Sequence, residues 1–308
     1  MHFVRPTFTR LAVSCTILVA AGFASRAGAE EYTKSYSIAG RADVRVHTDD
    51  GSVLVVTADT NQVQFRVTYE EFAAVQFGGK PHIDSQQHGN EVELTARFGP
   101  GVTFGISNNR MSTEVHMPRN ADLEVETRDG RVEVSSLNGN ITVHTADGGI
   151  KASKLSGKAD LHTADGGISV DTLTGDFKLQ TADGSVRAVN LDGKCSVSSK
   201  DGSVHIAGRF DALDVTSADG GVVVQAAPGS KISSTWSIRT GDGAVDLALP
   251  KDFKADLDAT TRDGHITLGL PVAVQGNFDK SRVRGTMNGG GASLIIRTGD
   301  GAIHLNGV

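Results

Sequence analysis

Asp129-Gly130-Arg131-Val132-Glu133-Val134-Ser135-Ser136-Leu137-Asn138-Gly139-Asn140-Ile141-Thr142-Val143-His144-Thr145-Ala146-Asp147-Gly148 decides the fold, because the chain then repeats it. Asp-Gly recurs at Asp129, Asp147, Asp165, Asp183, Asp201 and Asp219, each eighteen positions after the last. A fixed period of that length marks stacked copies of one supersecondary unit.

Aligned copies give columns. Val132, Ile150, Ile168, Val186, Val204 and Val222 form one, and Val134, Ala152, Val170, Ala188, Ile206 and Val224 the next. Later in each copy come Ile141, Ala159, Phe177, Cys195 and Leu213, then Val143, Leu161, Leu179, Val197 and Val215. Polar residues alternate with them, which is the period of two of a half-buried strand. Each copy therefore reads as two short strands and two corners. At the Asp-Gly corner, glycine is expected to supply a positive φ and aspartate to accept turn amides. At the other, Leu137-Asn138-Gly139, Leu155-Ser156-Gly157, Leu173-Thr174-Gly175 and Leu191-Asp192-Gly193 place a leucine inside and turn on glycine.

Two all-β topologies fit. In a β-solenoid each copy is one coil, and equivalent residues stack about 4.8 Å apart. In an antiparallel β-meander each copy is a hairpin. Corners of different chemistry and the small column of Ala146, Ala164, Ala182 and Ala218 favour the solenoid. A lone coil buries too little apolar surface to offset the entropy of ordering its backbone, so the coils stand only as a stack with capped ends.

Outward from the repeat, residues 1–29 read as a secretory signal peptide. Arg5 and Arg10 precede an apolar stretch from Leu11 to Phe23, and Ala27-Gly28-Ala29 is a small-residue cleavage site. Cys15 lacks the upstream apolar stretch of a lipoprotein signal. Cleavage removes three arginines and no acid, leaving 27 basic against 36 acidic residues and moving the formal charge from −6 to −9. An acidic exported chain without a basic run does not suit nucleic acid. Cys195 is then the one remaining cysteine, a small side chain in an inward column with no disulfide partner.

Residues 30–120 read as an N-terminal cap and first irregular strands, continuous with regular repeats over 121–308. Between Tyr69 and Arg110 the pattern loosens around Phe72, Phe77, Phe98 and Phe104, a candidate interaction lip whose simpler reading is an end cap. A proline phrase then occurs twice: Met117-Pro118-Arg119-Asn120 leads to Thr127-Arg128-Asp129-Gly130, and Leu249-Pro250-Lys251-Asp252 leads to Thr261-Arg262-Asp263-Gly264. After Gly220 the Asp-Gly spacing widens to Asp242, Asp263 and Asp300, read as further coils with insertions.

The closing phrase Gly285-Thr286-Met287-Asn288-Gly289-Gly290-Gly291-Ala292-Ser293-Leu294-Ile295-Ile296-Arg297-Thr298-Gly299-Asp300-Gly301-Ala302-Ile303-His304-Leu305 resembles that of the bacterial putative-adhesin family of β-strand-repeat proteins. The resemblance covers nearly all of the chain after the signal. It implies a stacked β-strand solenoid at the cell envelope, of unknown function, and carries over no catalytic residue.

Chemistry in the chain itself is sparse. The aspartate column at 129, 147, 165, 183, 201 and 219 is read as a structural turn ladder, with a row of calcium ions as the alternative. The calcium β-roll uses a nine-residue repeat that is not matched here, so no cofactor is expected. His144 and His162 lie one period apart, but Gln180, Ser198 and Thr216 follow, so no third metal ligand appears. No Gly-x-Ser-x-Gly elbow, Lys-bearing phosphate loop or His-Glu-x-x-His occurs. The expectation is a noncatalytic envelope scaffold or interaction module, periplasmic, surface-borne or extracellular, with a protein or polysaccharide partner and self-association through the solenoid ends. A glycan-binding module stacking sugars on Trp236 or Tyr69 is the alternative, and a polysaccharide lyase-like enzyme the more distant one.

Overall fold

The computed structural model describes residues 29–70, 73–78, 81–99, 101–107, 110–274 and 279–308, and all regular structure among them is strand. The signal peptide read at 1–29 lies outside them except for Ala29. Ile150 sits beside Ile168 and Ile168 beside Val186, while Ala159 sits beside Phe177 and Phe177 beside Cys195, all in parallel. Repeats one period apart are therefore adjacent strands of one direction. That is a β-solenoid, and the antiparallel meander is overturned.

Each Asp-Gly coil gives one strand to an upstream ladder, which enters the Asp-Gly corner, and one to a downstream ladder, which leaves it. The predicted inward columns are buried between the ladders, from Val132 and Val143 to Val215 and Val224. The corner leucines Leu137, Leu155, Leu173 and Leu191 are buried as well. The residue before each is left-handed (Ser136 φ 57°, Lys154 53°, Thr172 66°, Asn190 56°). For β-branched Thr172 this conformation is strained.

Chain order and stacking order part at both ends. Ala121–Thr127 pairs in parallel with Ala42–Thr48, whose other edge carries Glu91–Phe98. The downstream ladder agrees, running Arg110–Pro118, Ser52–Ala58, Val132–Ser135. The coil of residues 42–58 is thus sandwiched between coils that follow it in the sequence. At the other end Ser293–Thr298 lies between Trp236–Arg239 and Ala255–Thr261, and Ile303–Gly307 between Val245–Leu249 and Ile266–Leu268. The further coils expected after Gly220 are present, but not stacked in chain order: the last coil of the sequence is next to last in the stack. Each occurrence of the proline phrase is where the chain steps over an inserted coil.

The loose region of the sequence is the middle of one long antiparallel hairpin. Glu70 faces Arg110, Ala73 faces Ser107, Gly78 faces Gly101, Pro81 faces Phe98 and His88 faces Glu91, with one register shift between Ala73 and Val75. One arm supplies the outermost coil. The other lays Gln62–Glu70 and Pro81–His88 antiparallel over the two ladders as a cap. Ala29–Ser37 pairs on Gln62–Glu70, and the Tyr32 and Tyr36 hydroxyls both meet Ser85 Oγ, at 2.7 and 2.6 Å. At the far end Arg282–Met287 lies antiparallel on Ala255–Thr261, with Ala273–Val274 outside it. Antiparallel cover of this kind blunts the pairing edges that a bare stack would expose.

Candidate functional site

The Asp-Gly corner is held by a residue two places before the aspartate. Thr163 Oγ1 donates to the Gly148 carbonyl of the preceding coil at 2.9 Å and accepts the Gly166 amide of its own at 3.1 Å. Thr181 does the same with Gly166 and Gly184, at 3.0 and 3.1 Å. Thr240, Thr298 and Thr261 continue the series, Thr298 reaching Gly243 and Thr261 reaching Gly301, each at 2.8 Å. These buried hydroxyls form a spine along the corner. The expected role of aspartate as acceptor of the turn amides is corrected, since Thr or Ser takes the glycine amide.

In the regular repeats the glycine of the pair is required by space rather than by φ, whereas Gly51 of Asp50-Gly51 is left-handed, at φ 106°. Gly166, Gly184, Gly202 and Gly220 are not left-handed. A Cβ on Gly166 would stand 2.1 Å from the carbonyl oxygen of Gly148, and one on Gly184 2.0 Å from that of Gly166. At these glycines successive corners meet backbone against backbone.

With the turns satisfied otherwise, the carboxylates of Asp147, Asp165, Asp183, Asp201 and Asp219 are exposed. They form a ridge at the strand spacing of about 4.8 Å. Arginines bracket it: Arg128 lies 3.3 Å from Asp50 and 3.5 Å from Asp129, and Arg262 lies 3.2 Å from Asp263 and 2.6 Å from Asp300. Burial, and then the hydrogen bond with Asp129, raise the Asp50 carboxyl above the ordinary aspartate value, against the pull of Arg128. Among the described residues no three His, Cys, Asp or Glu side chains converge to hold a metal ion. His144 and His162 do meet, edge to face with ring centroids 5.7 Å apart, and so do His265 and His304 at the same distance.

The four phenylalanines of the predicted lip divide. Phe72 lies outside the described residues. Phe77 and Phe104 belong to the paired strands Ala73–Gly78 and Gly101–Ser107, opposite Val102 and Val75, and their side chains are likewise undescribed. Phe98, opposite Pro81, is half-buried and packs on the core. Trp236 is no stacking platform: it is fully buried, 4.9 Å from Phe253 and 6.1 Å from Phe210 between ring centroids. The extra length in the spacing from Asp219 to Asp242 precedes this aromatic plug.

A shallow groove of about 470 Å³ crosses the upstream ladder. Its rim alternates in sign, with Lys178 3.7 Å from Asp160 and Lys194 3.5 Å from Asp176, each pair joining neighbouring coils. Ser196 and Asp214 continue it toward Thr235. Cys195 lies beneath, buried, and burial pushes its thiol far above the ordinary value, which disfavours the reactive thiolate.

Residues 41–306 match the Toastrack DUF4097 family. Among solved structures, the chain is similar to a putative cell adhesion protein from Clostridium sporogenes ATCC 15579, at 15% identity over 91% of this chain and 100% of that one, with a TM-score of 0.25. It is also similar to a putative adhesin from Parabacteroides merdae ATCC 43184, at 10% identity over 90% of this chain and 96% of that one, with a TM-score of 0.36. No curated protein matches the chain.

Proposed function

Because the chain belongs to the Toastrack DUF4097 family, a domain of unknown function, we propose that it is a noncatalytic scaffold or interaction module, exported by residues 1–29 to the cell envelope. One observation carries this reading: the repeated side chains are committed to stacking. Hydrophobic columns fill the interior, hydroxyls and glycines lock the corners, and Lys178–Asp160 and Lys194–Asp176 pair across coils. What repeats outward is a carboxylate ridge and a mixed-charge face, suited to contact with a macromolecule along the stack.

The partner contact is assigned to the hairpin ribbon at 73–78 and 101–107 with its phenylalanines, which stands where the other coils have a short Asp-Gly corner. A second reading, glycan binding, draws on the groove and its Lys, Asp, Ser and Thr rim. The test is capture from envelope extract and from cell-wall polysaccharide by the chain and by a variant with Phe72, Phe77 and Phe104 changed to Ser. Phe98 is kept because it packs on the core. Capture of one defined partner, lost in the folded variant, supports the lip; polysaccharide retained by the variant but lost in Lys178→Ala/Lys194→Ala supports the groove. Capture by neither removes the interaction reading and leaves a scaffold. Cell fractionation that finds the chain in the cytoplasm overturns export.

A further inference from the structure

The inserted coil at the C-terminal end of the stack has a geometry that the other inserted coil lacks. Leu294, Ile296, Ile303 and Leu305 are fully buried and face Trp236, Ile238, Val245 and Leu247 on one side. Leu257, Ala259, Ile266 and Leu268 face them on the other. The same slot, bounded by residues 236–249 and 255–268, exists in every copy of the chain.

The coil enters that slot from Arg282–Met287, the cap strand on the far edge of Ala255–Thr261, by crossing over the end of that strand. The crossing is a tight reversal through three consecutive left-handed residues, Asn288 (φ 48°), Gly289 (90°) and Gly290 (79°). It is pinned by Asn288 Nδ2, which donates to the Lys251 and Phe253 carbonyls at 2.8 Å each. Asn and Gly adopt the left-handed region readily, so the hinge rests on the shortness of the reversal, and a short connection of this kind favours exchange when it opens. Extended, the segment 288–292 reaches about 17 Å, enough to carry the coil off its own stack. By contrast, the coil of residues 42–58 is tied to cap strands on both sides, Ala29–Ser37 before it and Gln62–Glu70 after it.

We propose that the coil of residues 293–307 is exchangeable, and that two copies of this chain pair by trading it. Every ladder bond and buried contact of the closed chain reforms in the pair, so the equilibrium is set by hinge geometry and protein concentration. This association route is independent of the lip and of the groove.

Ser237 and Ile295 are directly opposed parallel neighbours, which makes the exchange readable as a disulfide. Full-length chains carrying Cys15→Ser and Cys195→Ala receive either Ser237→Cys or Ile295→Cys, are unfolded in guanidinium, mixed, refolded at rising concentration and oxidised. Exchange yields a disulfide joining the two different chains, with a doubling of mass by sedimentation that grows with concentration. It also requires the chain carrying both Ser237→Cys and Ile295→Cys, once closed by its internal disulfide, to lose the dimer. A mixture of Ser237→Cys with Ser169→Cys, on the other ladder, controls for collision. The proposal is overturned if that control gives equal yield, if the internally locked chain still dimerises, or if the mixed chains stay monomeric and unlinked at every concentration.

Discussion

Thr261 donates its hydroxyl to the carbonyl of Gly301, 40 residues further along the chain, at 2.8 Å, while accepting the amide of Gly264 at 3.0 Å. The same two bonds join Thr163 to Gly148, a preceding coil only 15 residues away, and to Gly166. The spine therefore records spatial order, whatever route the chain takes between coils.

The outermost C-terminal coil should depend on the inserted one. Its parallel partners are Ser293–Thr298 and Ile303–Gly307, so a chain ending at Asn288 leaves residues 255–287 with no stack to join. Hydrogen exchange should show those residues unprotected and the stack up to Thr216 still protected. Retained protection over 255–287 would refute the observed stacking order.

Neighbouring glycines should behave oppositely. Gly166→Ala forces a Cβ against the Gly148 backbone at 2.1 Å, and no rotamer can relieve it. A loss of at least about 3 kcal/mol in urea unfolding is expected. Gly167→Ala meets only the Ser185 carbonyl at 3.3 Å, in a column where Ser185 and Ser203 already carry side chains. Its change should stay within about 0.5 kcal/mol.

The hydroxyl spine makes a paired prediction. Thr163→Val strips a partner from the Gly148 carbonyl and the Gly166 amide, both at a buried corner, and should cost about 1–3 kcal/mol. Ser199, in the same column, has a buried hydroxyl without a partner. Ser199→Thr, which matches the rotamer-restricted Thr181 next to it, should gain about 1 kcal/mol. A thermal-unfolding series separates the two signs.

Acid should act through Asp122. The hydrogen bond from Arg41 (2.8 Å), reinforced by the Asn140 amide (2.7 Å), holds its carboxyl below the ordinary aspartate value. A carboxyl lowered by folding adds stability that is full above its unfolded value of about 3.9 and is lost as pH falls through the folded one. Asp122→Asn should therefore lower the melting temperature at pH 7, and the gap to the parent should narrow as the pH falls below the ordinary aspartate value. A gap that is constant with pH would show that packing, not charge, is responsible.

Asp183 offers the electrostatic contrast. It stands in the exposed ridge between Asp165 and Asp201, away from the bracketing arginines. Asp183→Asn relieves like-charge repulsion of at most about 1 kcal/mol per neighbour in water. A small rise in melting temperature at low salt should vanish at 1 M salt, where the screening length is about 3 Å.

Much of this molecule was written along the chain. The constant Asp-Gly period, the alternating columns from Val132 to Val224 and the corner leucines specify one coil and its inward face, because strand alternation and turn shape are local properties that a repeat restates six times. The Thr and Ser column was visible too, at Thr145, Thr163, Thr181, Ser199 and Ser217, though which group the hydroxyl meets depends on the coil beneath it. The reason for the Asp-Gly glycines could not be read locally, since their Cβ would strike a neighbour one coil away rather than their own backbone. Stacking order was decided by tertiary structure alone. Residues 42–58 and 293–307 carry the same pattern of apolar columns and ladder edges as their neighbours, so nothing within them says that they lie second from an end; the caps and the two proline crossings, Met117-Pro118 and Leu249-Pro250, impose it.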